Sequence, residues 1–131
     1  MEQMATGTFE VTMKPVASAG EGVTLGRLTL NKRFAGDLQG VSHGEMLATR
    51  TPVANSAGYV AMELVTGTLQ GKTGTFVLQH SGTMNRGEAT LEVHVVPDSG
   101  TAELQGIAGK LAIKIENGRH FYTFDYTLPE S

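Results

Sequence analysis

The chain has no cysteine, no tryptophan and only four prolines in 131 residues. Without cysteine there is no disulfide framework, no thiolate metal centre and no thiol nucleophile. That usage fits a reducing compartment, and the sequence reads as a soluble cytoplasmic protein. Its opening, "MEQMATGTFE", has neither the basic start nor the apolar stretch of a secretion signal. Apolar runs approaching the ~18 residues of a spanning helix are also missing, so no membrane partner is expected. Nor is there an excess of positive charge. Ten Lys and Arg stand against thirteen Asp and Glu, and the longest basic run is Lys32-Arg33. With no basic field, no nucleic-acid partner is expected.

What is present is ordinary for a globular protein, with 40% hydrophobic and 18% charged residues. The length suits one domain spanning residues 1–131. A domain of that size buries roughly two-thirds of its unfolded surface, enough for a core without staples. Glycines separate runs of alternating apolar residues rich in Thr and Val, which is the pattern of strands. The spacing predicts strands over 6–16, 23–34, 38–50, 58–70, 73–85, 88–97, 109–116 and 119–128. Eight strands joined by short turns predict an all-β fold, a single closed eight-stranded antiparallel β-barrel, with a sandwich as runner-up. At most a short helical turn is expected, within "DSGTAELQGIA" at 98–108.

Turn chemistry sets the expected registers. Asn117-Gly118 in "IENGRHF" is a strong two-residue hairpin signal and pairs Glu116 with Arg119. One face of that hairpin then carries Leu111, Ile113, Ile115, His120, Tyr122, Phe124 and Tyr126, and the other carries charge. A loop at Arg86-Gly87 sets Asn85 opposite Glu88 and His80 opposite Val93. A loop at Gly71-Lys72 in "LQGKTG" sets Glu63 directly opposite His80. On those registers the inward face holds Tyr59, Ala61, Val65, Phe76, Leu78, Met84, Leu91, Val93 and Val95, and of its members only Glu63 and His80 ionise in the neutral range. The outward face, with Met62, Leu64, Val77, Gln79, Ser81, Glu92 and His94, is mixed. A mixed, partly apolar outer face suits a subunit interface, so a homo-oligomer is expected.

Glu63 and His80 are the candidate catalytic residues. A carboxylate beside an imidazole on an apolar face can act as a general acid or base near a bound ligand. The same pair can equally be a satisfied buried pair that pins strand register. Tyr59, Phe76, Tyr126 and Glu45 are the candidate pocket residues, aromatic walls with polar tips suiting an amphipathic ligand. Tyr122 reads as core packing with its hydroxyl on the backbone.

Other motifs fail on geometry. "SHGEML" puts His43 and Glu45 on one strand face, but the second adjacent histidine of a cupin-type metal site is absent, so no metal is expected. "GTLQGKTGTF" lacks the spacing of a phosphate loop and joins two strands. Ser81 beside His80 points to the opposite face, which excludes a local nucleophile–base pair. No cofactor is expected.

The stretches "NSAGYVAMELVTGTLQGKTGTFVLQHSGTM" and "VVPDSGTAELQGIAGK" resemble a bacterial domain-of-unknown-function family grouped with the allene oxide cyclase and dirigent barrels. The resemblance runs from about residue 34 to the end. It implies a single eight-stranded barrel with an internal cavity, usually oligomeric, and with no assigned activity. The superfamily includes an enzyme that cyclises a reactive lipid epoxide and proteins that steer radical coupling, all enclosing an apolar substrate. None of their functional residues aligns here position by position, and fold likeness alone does not transfer chemistry. The expected function is therefore binding of a small apolar or amphipathic ligand inside the barrel. The alternatives are an isomerase or cyclase using Glu63 and His80, and a non-catalytic oligomer with a filled core.

Overall fold

The structure is a computed structural model and describes residues 2–16 and 25–129. Eight strands follow one another: β1 (Glu2–Val16), β2 (Leu25–Gly36), β3 (Leu38–Arg50), β4 (Ala57–Leu69), β5 (Lys72–Asn85), β6 (Glu88–Val95), β7 (Ala108–Glu116) and β8 (Arg119–Thr127). Each pairs antiparallel with the next, and β8 returns to β1, so the sheet closes into an up-and-down barrel. The expected helical turn is a single 3-10 turn at Ala102–Leu104. Residues 23 and 24 of the expected second strand lie outside the described residues. Among the described residues no helix is long and apolar enough to cross a membrane.

Three hairpins use one turn chemistry, a residue of positive φ followed by glycine. These are Gln70-Gly71, Arg86-Gly87 and Asn117-Gly118, with φ from 46° to 95° at all six positions. The second and third match the expected registers, with Asn85 opposite Glu88 and Glu116 opposite Arg119. The first corrects one. A two-residue turn of this kind takes its glycine second, so the loop is Gln70-Gly71 and Leu69 pairs with Lys72. Glu63 therefore faces Leu78 and His80 faces Ala61, a shift of two residues along the strand. Inward residues stay inward under a shift of two, so both side chains remain on the inner face.

The two ends of the barrel differ. At one end the β2–β3 and β4–β5 turns meet at Asp37, whose amide donates to the Thr6 carbonyl and whose carbonyl accepts from the Gln70 amide. Here the connection from β6 to β7 runs along β5, with the Thr101 amide on the Thr75 carbonyl at 2.8 Å, and it drops Leu104 and Ile107 into the core. Phe76, Phe124 and Tyr126 stack behind them, with ring centroids 5.7 and 5.2 Å apart. The Tyr122 hydroxyl donates to the Ala35 carbonyl and accepts from the Leu38 amide, both at 2.9 Å, which staples β8 to the β2–β3 turn. This end is closed. At the other end the inward-facing side chains Met13, Met84, Leu91 and Ile115 are 40–66% exposed. Among the described residues they form an exposed apolar rim, the mouth of the barrel.

Candidate functional site

Between the packed end and the mouth lies one layer of polar side chains. Four adjacent strands each supply one: Lys32 from β2, Ser42 from β3, Glu63 from β4 and His80 from β5. All four are buried, and Glu63 is only 1% exposed. Lys32 Nζ donates to Glu63 Oε1 at 2.8 Å, His80 Nε2 to the same oxygen at 2.5 Å, and Ser42 Oγ to Oε2 at 2.5 Å. An ionised carboxylate only accepts, so its bond to Nε2 puts a proton on that nitrogen. Lys32 is also held from below, its ammonium 4.8 Å from the Phe9 ring centroid and 5.9 Å from that of Phe34.

Small residues make the cluster possible. Ser42 is the register partner of Lys32, whereas Gly44 faces Glu63 and Ala61 faces His80. The polar groups therefore meet on diagonals, over positions that carry little or no side chain. At Gly44 the strands close tightly. A Cβ there would lie 1.9 Å from the Met62 carbonyl oxygen and 2.7 Å from Glu63 Cα, so only glycine admits this approach.

Burial alone pushes the Glu63 carboxyl up. The hydrogen bond from His80, the charge and hydrogen bond of Lys32 and the hydrogen bond of Ser42 outweigh it and bring the carboxyl down to about 2. Glu63 is thus an ionised anchor, and it holds His80 in place.

Tyr59 sits on the mouth side of this layer. Its ring passes over Gly82, where a Cβ would come within 2.5 Å of it, and its centroid is 6.4 Å from that of His80. Burial, and then the charge of Glu63, raise the phenol's pKa. Tyr122 and Tyr126 both hydrogen-bond through their hydroxyls, Tyr126 to Gln3 and Gln70. Among the described residues the Tyr59 hydroxyl makes no such bond, and it is the tyrosine that faces the mouth.

The other pocket candidates lie elsewhere. Phe76 and Tyr126 share the inner face with His80, but they pack in the closed end. Phe76 is four residues down its strand from His80, about 13 Å at the rise of a β-strand. Glu45, expected inward, lies on the outer face and pairs with Arg27 at 2.5 Å, both about half exposed. Its neighbours Gly44 and Met46 are the ones that turn in, and His43 is outside with it. Among the described residues no three His, Cys, Asp or Glu side chains converge as a metal site would need.

Lys32 and Ser42 were not singled out from the sequence. The alternation of "LTLNKRF" does place Lys32 on one face with Leu30 and Phe34, which was a usable signal. Nothing comparable marks Ser42, which lies among Gly40 and Gly44.

Fold and site together define a small antiparallel β-barrel with one packed end, a rim of exposed apolar side chains at the other among the described residues, and a buried Lys–Ser–Glu–His layer between them. The chain belongs to DUF3224, a family of proteins of unknown function, whose model matches residues 5–126. It is similar to a crystal structure of a DUF3224 protein of unknown function from Shewanella oneidensis MR-1. The two share 46% identity over 100% of both chains, with a TM-score of 0.94. No curated protein matches the chain. The family relation bears out the part of the sequence resemblance that concerns a family of unknown function.

Removing one partner of the cluster leaves the others buried and unpaired. Glu63→Gln is expected to lower stability by about 3–5 kcal/mol, while Lys32→Met with Glu63→Met loses far less, as read by urea unfolding. Glu63 also makes stability depend on acid. Its folded pKa of about 2 lies below the ordinary 4.5, so its contribution is full above pH 4.5 and fades as pH falls towards 2. Over that window the wild type is expected to lose about 3 kcal/mol more than the double Met variant in urea titrations at stepped pH.

Proposed function

We propose that the protein binds a small apolar or amphipathic molecule in the open mouth of its barrel, above Glu63 and His80, and that it works in the cytoplasm. The observation that carries this is the exposed inward ring of Met13, Met84, Leu91 and Ile115 over a buried polar floor. Side chains that face a barrel axis and still meet water mark unfilled space, and roughly eight strands leave room for either a packed core or one small ligand. Tyr59, whose hydroxyl has no hydrogen-bond partner among the described residues, supplies the polar contact at the base of the mouth. The proposed grouping with the allene oxide cyclase and dirigent barrels, which enclose apolar substrates, supports the same reading. Binding is preferred over turnover because His80 is buried and Glu63 is spoken for by three donors. A proton-moving isomerase needs one of them free.

A second reading concerns the outer face. Leu47, Val60 and Met62 are 45–53% exposed and form an apolar wall in a groove of about 740 Å³, with Arg27 and Glu45 at one rim. We assign this face to contact between copies of the chain, since an apolar patch of this kind is costly to leave in water.

The mouth is tested with anilinonaphthalene sulfonate, a fluorescent apolar anion. Leu91→Asn and Met84→Asn are each expected to weaken its binding by about tenfold, equivalent to ~1.4 kcal/mol, while Val41→Asn on the outer wall leaves it unchanged. Equal losses at all three positions, or no binding to the wild type, would overturn the reading. For the outer face, light scattering should give a mass above 13.9 kDa for the wild type. The Val60→Lys variant should return it to that of one chain, and a wild-type monomer would refute the assignment.

A further inference from the structure

β6 and β7 are neighbours around the barrel, yet they meet at a single register pair, His94 with Lys110. Above that pair β6 continues to Glu88 and β7 to Glu116 with no ladder between them. Every other junction is laddered along most of its length. A groove of about 360 Å³ lies over this junction, lined by Leu91–His94, Lys110–Ala112 and Asp125 of β8.

The two strands are matched for a ladder they do not form. Continuing the register upward from His94 and Lys110 sets Val93 against Leu111 and Leu91 against Ile113. All four belong to the inward, apolar set. On the outside the same register sets Thr90 against Lys114, which are compatible neighbours. Closing the gap would remove Leu91, now 42% exposed, and Ile115, now 66% exposed, from water. Only the outermost pair opposes it, since Glu88 would face Glu116 and like charges directly opposite destabilise a ladder. The seam therefore carries attraction along its length and repulsion at its rim, the balance a two-position element needs. It also leads to the polar layer, because Val93 is the register partner of His80.

We propose that the β6–β7 seam is the gate of the barrel. It widens to admit a small apolar molecule from the mouth to the space beside the polar layer and zips shut behind it, with Leu91 and Ile113 closing over the ligand. This rests on the mouth being a binding site. The seam is the place where the wall opens at least cost, since few backbone hydrogen bonds have to break there.

The test uses the absence of native cysteine. Thr90→Cys with Lys114→Cys places the only two thiols outward and opposite each other in the extended register. Thr68→Cys with Thr73→Cys, a register pair already formed in β4–β5, gives the reference rate of disulfide formation. With oxidised glutathione the seam pair is expected to cross-link, within about tenfold of the reference rate. The cross-linked form should then take up and release anilinonaphthalene sulfonate at least about tenfold more slowly than the same protein after reduction. Probe held on the outer surface is common to both forms and cancels.

Failure to cross-link in a folded protein would show that the seam does not close and would overturn the gate. Cross-linking with unchanged probe kinetics would also overturn it, while leaving the mouth as a binding site. If the wild type binds no probe in the mouth, the binding reading falls, and the gate falls with it.

Discussion

A carboxylate sealed from water must receive its donors from the protein, and Glu63 receives three, from Lys32, Ser42 and His80. Each donor comes from a different strand, and with Glu63 itself they tie β2, β3, β4 and β5 together at one level. Slipping any of these strands by one residue would turn its polar group outward, and slipping by two would take it out of reach. Either error leaves a charge buried without a partner, which costs far more than a lost apolar contact. The register of half the barrel is therefore held by one anion, and the positions of the packed end and the mouth follow from it.

Below this layer the interior is full. Phe9 and Phe34 support Lys32, Tyr122 stands edge-on to Phe34, and the Phe76–Phe124–Tyr126 stack fills the closed end. Above it the inward side chains are apolar and several are exposed, and β6 and β7 are joined by a single register pair. The asymmetry has a cause in the connections. The segment between β6 and β7 spends its length plugging the closed end with Leu104 and Ile107, so β7 joins the sheet beside β8 and touches β6 only at its start. A firmly packed floor and a sparsely paired wall are features that the proposed binding reading uses.

Strand identity and turn position were largely legible in the chain, since alternation and the X-Gly turns are local signals. The Glu63–His80 neighbourhood was legible for the same reason, even though the turn before β5 was placed one residue late. Facing depends on odd or even position alone, and the correction was two residues. Glu45 misled because β3 inverts the usual pattern. Its inward positions include Gly40, Ser42 and Gly44, while Val41 and Leu47 point out, so polarity is a poor guide to facing there. Lys32 is hard to read as buried, because a lone lysine in a strand ordinarily reaches solvent.

Outside β3, the sequence by itself determined which side chains turn toward the axis, because a strand's period of two is written into its residues. It also determined where the chain reverses, because positive φ at two successive positions selects X-Gly. Which inward side chains meet was decided only by the tertiary structure. Closure and register bring Lys32, Ser42, Glu63 and His80 from four strands to one level, a relation no local pattern encodes. The unformed ladder between β6 and β7 is of the same kind. The residues there are suited to pairing, and the path of the connecting segment leaves them apart.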